Sequence, residues 1–211
     1  MSEIHHHIPE RLLAAYASGA LPHPFSLVVA SHVSLCPECR ARLGAHEHVG
    51  GAVLEDVEAA PVSDALKDSI LAKLDLPDAA PAPQGRMGVY PGPVATALRG
   101  HPPKWRSLGL GTKQSILHSG PEGSVRLLYI PPGQAVPDHG HNGMELTLVL
   151  QGSFEDDEGR FGVGDVEVAD EELEHTPVAG PGAPCICLAA TDAPLKFNSF
   201  LPRVLQPLFG I

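Results

Sequence analysis

His32-Val-Ser-Leu-Cys36-Pro-Glu-Cys39 is the stretch whose residue types and spacing most directly suggest chemistry. Positions four apart share one face of a helix, and a CxxC loop brings two sulfurs within reach of one tetrahedral ion, so the pattern suits zinc. Pro37 sharpens the expectation. It disfavours helical geometry at Cys36 and supplies a preset first helical residue, which predicts one helix ending near Leu35 and the next beginning at Pro37. Both thiols would then lie at a helix N-terminus, where the dipole favours thiolate. Three ligands need a fourth. His7, just ahead of the first expected helix, is the first choice, and His5, His6, His46 and His48 compete with it. The other readings are a redox CxxC pair, whose usual βαβ setting is missing, and two core cysteines beside a surface histidine.

A second group lies in PGQAVPDHGHNGMELTLVLQG. His139 and His141 are two apart, so on a strand both point to one face and can look into a barrel. Glu145 opens the next strand after the Asn142-Gly143 turn and can face them. Softer signals are fewer. Cys185 and Cys187 flank Ile186, so both sulfurs face one side of a strand; they read as buried small hydrophobes, with oxidation sensing as the alternative. His118 reads as a polar rim residue, and Glu155, Asp156, Asp157 and Glu158 as a solvated hairpin tip. GLGTK lacks the spacing of a phosphate loop, and there is no Ser/His/Asp signature.

Two kinds of element must position these residues. From Pro9 to Asp75 apolar residues recur at helical spacing, as in Leu12, Leu13, Tyr16 and Ala17, or Leu66, Ile70, Leu71 and Leu74, so this part is expected to be all helix. Ser63 followed by Asp64 starts the last of these helices. From Leu76 to Ala97 the chain is rich in Pro, Ala and Gly with no apolar period, as expected of a semi-extended connector. After Trp105 short apolar runs alternate with Gly and Pro turns: KQSILHS, SVRLLYI, ELTLVLQG, DVEVA and PCICLAA. Such runs predict an antiparallel sandwich or barrel. The expected fold is therefore two-domain, with an all-α bundle over residues 1–78, a Pro/Ala-rich linker over 79–97 and an all-β barrel over 98–211.

Composition narrows the partners. The 211 residues carry a formal net charge of −11, and the acidic excess is shared by both halves, which argues against nucleic-acid or anionic-membrane binding. Twelve histidines and four cysteines against one tryptophan make metal binding the first hypothesis. No signal-peptide pattern or membrane-length apolar run is present, so a cytoplasmic protein with reduced thiols is expected.

The spacing Gly133, His139, His141, Glu145, Gly152 resembles the first motif of the cupins, and Gly164-Asp165 followed by His175 resembles their second. That resemblance implies a jelly-roll barrel in which His139, His141, Glu145 and His175 bind one divalent metal. Two positions depart from it: the usual Pro-x-Gly turn is Asp170-Glu171-Glu172, and the Asn often found after the last histidine is Ala179. With the helical HxxxCxxC module, the whole chain resembles the ChrR-type zinc-binding anti-sigma factors. The likeness extends to FSLVVASHVSLCPECRAR, ELEHTPVA, CICLAATDAPL and FNSFLPR. It implies two zinc ions per chain, one held by His7, His32, Cys36 and Cys39 and one in the barrel. It also implies a helical domain that clamps an extracytoplasmic-function sigma factor, and a cupin needed for its release in response to singlet oxygen. The competing class is a cupin metalloenzyme, a dioxygenase or isomerase with an appended zinc module. It predicts iron or manganese and turnover of a small molecule.

Overall fold

The computed structural model describes residues 3–74, 76, 85–136, 139–140, 143–170, 174–193 and 196–197. After an arm without regular structure come α1 (Glu10–Ala17), α2 (His23–Leu35), α3 (Pro37–Glu55) and α4 (Asp64–Leu71). The helix break falls where Pro37 predicts it: Cys36 is at once the C-cap of α2 and the N-cap of α3, in extended geometry with φ −100° and ψ 109°. Ser63 caps α4, its hydroxyl accepting from the Leu66 amide at 3.2 Å. Within the stretch expected to be a semi-extended connector lies a further helix, α5 (Gly92–Ala97). Pro91 and Pro93 do not oppose it, because the first turn of a helix has no use for their missing amides. Its Val94 and Ala95 are fully buried, and it packs on α2.

The strands are β1 (Arg106–Gly109), β2 (Thr112–Gly120), β3 (Gly123–Ile130), β4 (His139–Gly140), β5 (Glu145–Gln151) and β6 (Phe154–Asp156). They continue as β7 (Gly159–Phe161), β8 (Val166–Ala169), β9 (Glu174–His175), β10 (Val178–Ala179), β11 (Cys185–Thr191) and β12 (Lys196–Phe197). The main sheet has six strands in the order β1-β2-β3-β11-β5-β8, and two smaller three-stranded sheets, β10-β6-β7 and β12-β4-β9, complete the antiparallel framework. Glu155 and Asp156 end β6, and Asp157 and Glu158 form the hairpin tip before β7.

The main sheet buries both faces. One face carries Val149, Cys185 and Cys187, packed with Ile130, Phe154, Phe161 and Ala179. The opposite face carries Leu127, Leu146, Leu148, Leu188 and Ala190, and these join Phe25, Val28 and Val29 of α2 in a single cluster. The helical half and the barrel therefore share one core, with α2 lying across β3, β5 and β11. Leu188, fully buried at the centre of that face, tests the packing. Leu188→Ala is expected to destabilise the chain by about 2–5 kcal/mol, read as a lowered midpoint in denaturant.

Candidate metal centre

Four side chains converge where α2 meets α3. One potential ligand atom from each of His7, His32, Cys36 and Cys39 lies within 4.8 Å of all the others, a group able to hold a metal ion. The His7 Nδ1 is 3.4 Å from the Cys36 Sγ and 3.7 Å from the Cys39 Sγ. Its Nε2 lies 3.3 Å from the Glu38 carboxylate, leaving Nδ1 toward the sulfurs. His32 is fully buried and its Nδ1 is 2.9 Å from the Gly164 carbonyl. With the proton on Nδ1, the Nε2 lone pair is free to coordinate, and Nε2 is a buried atom with no hydrogen-bond partner. A buried, unpartnered imidazole nitrogen beside two thiols is the donor set a tetrahedral zinc takes.

Desolvation dominates the electrostatics of these side chains. Burial holds His32 neutral, lowering its pKa to about 4, and the same burial raises the Cys39 thiol to about 11. At Cys39, desolvation thus outweighs the pull of the helix N-terminus toward thiolate. A divalent cation at the centre would reverse that balance, because a coordinating thiol is deprotonated outright. The competing histidines are engaged elsewhere. His46 Nε2 lies 2.7 Å from the Glu10 carboxylate, and His48 Nδ1 lies 2.8 Å from the Gly44 carbonyl on an exposed helix. His5 and His6 precede His7 on the arm, whose next residue, Ile8, is fully buried and anchors it.

The second group is only partly within the described residues. His139 on β4 stands directly opposite His175 on β9, and Glu145 begins β5. His141 lies outside the described residues, as do the side chains of His139 and His175. Around Glu145 the sheet carries a polar patch: Thr147 donates to Glu145 Oε1 at 2.9 Å and is paired in register with Glu167. Arg126 is buried, and its guanidinium donates to Gln114 Oε1 at 3.2 Å and to Ser124 Oγ at 2.7 Å. Burial pulls the Arg126 pKa below its ordinary value, against the opposing pull of Glu145. Cys185 and Cys187 do face one side, their sulfurs 3.4 Å apart. The Cys185 contact and complete burial push the Cys187 thiol well above its ordinary pKa, so Cys187 is a protonated core thiol.

Residues 96–194 match the family described as the ChrR cupin-like domain. Over 211 residues the chain is 56% identical to the anti-sigma-E factor ChrR of Cereibacter sphaeroides, covering 99% of each protein. The chain belongs to the ChrR anti-sigma factor family. The solved complex of Rhodobacter sphaeroides SigE with the anti-sigma ChrR is likewise similar, at 52% identity and a TM-score of 0.81, covering 90% of this chain and 100% of that one. Membership of the ChrR family makes the role regulatory. Among the described residues no helix is long and apolar enough to cross a membrane.

Three features of this ChrR-family chain are absent from a reading of motifs alone. Glu38 sits inside the CxxC loop and meets His7, which its spacing from Cys36 and Cys39 does not announce. Arg126 and Glu167 are buried ionisable residues in strands whose other positions are mostly apolar; an ionisable residue inside an apolar run was the available signal. The exposure of the apolar face of α4 is the third. Leu66, Ile70 and Leu71, with Leu74 beyond its end, are each at least half exposed, and α4 buries no residue.

Proposed function

We propose that this chain sequesters an extracytoplasmic-function sigma factor through its helical half, and releases it when the barrel senses oxidative stress in the form of singlet oxygen. The observation that carries the first part is the exposed apolar face of α4, with Val49, Val53 and Leu54 of α3 exposed as well. Such a surface on a soluble fold marks a protein interaction site, and the ChrR of the solved complex is bound to a sigma factor. Zinc at His7, His32, Cys36 and Cys39 would staple a helical unit with a small core of its own. A second zinc, held by His139, His141, Glu145 and His175, would make the barrel the sensing half. The opposed His139 and His175 and the position of Glu145 at the start of β5 support that placement. The reading places the protein in the cytoplasm, beside its partner.

Co-expression with the sigma factors of the same genome tests the proposal. One of them is expected to co-purify at equal stoichiometry and to lose its activity in transcription. Failure of every sigma factor to bind, with turnover of a small molecule by the intact chain, would favour a cupin metalloenzyme instead.

A further inference from the structure

The turn joining β7 to β8, residues 162–165, belongs to the barrel but meets the helical metal centre. Asp165, 2% exposed, accepts through Oδ1 from the amides of His5 at 2.7 Å and His6 at 2.9 Å. Its Oδ2 accepts from the Gly162 amide at 2.8 Å, and the Val166 amide donates to the His6 carbonyl at 3.2 Å. Burial alone would raise the Asp165 pKa, yet the His6, Gly162 and His5 amides hold the carboxyl below its ordinary value. The next residue of the arm is His7. Beside it, the Gly164 carbonyl receives the Nδ1 proton of His32. Gly164 has φ +97°, which side-chain-bearing residues rarely adopt, and a Cβ there would lie 2.6 Å from Ile4 Cδ1, so the turn meets the arm at a glycine. The His6 ring packs at 4.3 Å on Phe161, at the start of the same turn.

We propose that this turn is a positioning element of the metal centre, with Asp165 fixing the arm that carries His7 and the Gly164 carbonyl fixing the ring of His32. The inference rests on the reading that His7, His32, Cys36 and Cys39 hold the metal. An imidazole that donates its second ring proton to a fixed acceptor is locked in tautomer and orientation, which strengthens it as a ligand. Two amides on one buried carboxylate form charge-assisted bonds and hold the arm firmly. Two of the four ligands are thus set by a four-residue turn of the other half. That turn runs straight into β8, whose Glu167 is paired in register with Thr147, the partner of Glu145. The barrel's polar interior and the metal centre therefore share one strand end.

Cobalt(II) substitution of the full-length protein provides the test, because thiolate-to-cobalt absorption reports only the site with cysteine ligands. On addition of EDTA, Asp165→Ala is expected to lose that band roughly 10- to 100-fold faster than wild type. His5→Pro, which deletes one of the two arm amides without touching the barrel, is expected to lose it about fivefold faster. Asp165→Asn, which keeps a carbonyl acceptor, should fall between wild type and Asp165→Ala. A merely structural role would instead lower the thermal midpoint of Asp165→Ala and leave the band's decay at the wild-type rate. Should Asp165→Ala not fold, His5→Pro decides alone. A normal band with wild-type decay in the folded variants overturns this inference only, whereas no thiolate band in wild type removes the metal reading and this inference with it.

Discussion

Cys36→Ser combined with Cys39→Ser is expected to unfold the helical half and to weaken sigma-factor binding by more than about 100-fold. Both cysteines are buried, and Cys39 is enclosed completely. With a metal bound, the group would tie three segments to one point: the arm by His7, the end of α2 by His32 and the start of α3 by the thiols themselves. Metal that binds only the folded form contributes its whole binding free energy to folding, on the order of 10 kcal/mol for structural zinc. A domain is stable by about 5–15 kcal/mol in total. Loss of a zinc bound there would therefore be of the same size as the stability it supports. The measurement is threefold: zinc per chain, far-UV circular dichroism and affinity for the sigma factor. Helical signal should fall while strand signal from the barrel's own cluster around Phe154, Phe161 and Cys185 persists. Chelation of the wild-type protein should give the same result. A double variant that keeps its helices and its partner would show that the thiols are ordinary core residues.

The parts of this site that the sequence reveals are those fixed by neighbours in the chain. Pro37 dictates the break between α2 and α3, and the break sets the geometry of Cys36 and Cys39, so the ligand spacing and the helix ends are one local fact. Ser63 announces α4 in the same way, and the short runs rich in Val, Ile and Leu announce β2, β3, β5, β8 and β11. His7 is the first choice from its place just before α1, but four other histidines compete with it in sequence, because its selection depends on the burial of Ile8 and on Glu38, neither of which is a spacing rule. The contacts of Asp165 with His5 and His6 span 160 and 159 positions and leave no periodic trace. Gly164-Asp165 shows in the sequence only as part of a cupin-like motif, while its contacts with the arm and His32 come from tertiary packing. Helix α5 was hidden for another reason: composition rich in Pro and Gly reads as a connector, whereas the burial of Val94 against α2 decides its conformation. The proposed barrel ligands are legible as spacing, and of these residues the structure describes the opposition of His139 to His175 and the place of Glu145.

Leu66→Glu combined with Ile70→Glu is expected to lower sigma-factor affinity by about 100-fold or more while leaving the fold unchanged. The two residues are one helical turn apart on α4, and each is about half exposed, at 52% and 50%. Covering a fully exposed Leu or Ile contributes about 1.5–3 kcal/mol, so completing the burial of two half-exposed ones is worth roughly 2 kcal/mol. Two carboxylates at the same positions add the cost of desolvating charge in an apolar interface. Together these exceed the roughly 3 kcal/mol that corresponds to a hundredfold change in affinity. The free chain loses little, because α4 buries none of its residues and exposed substitutions usually change stability by less than about 0.5 kcal/mol. The contrast with Leu188→Ala separates the two roles of apolar surface in this protein. That core variant should unfold earlier yet, while folded, bind the partner normally, whereas the α4 variant should melt like wild type and fail to bind. Normal binding by the α4 variant would move the docking surface off this helix and onto the exposed Val49, Val53 and Leu54 of α3.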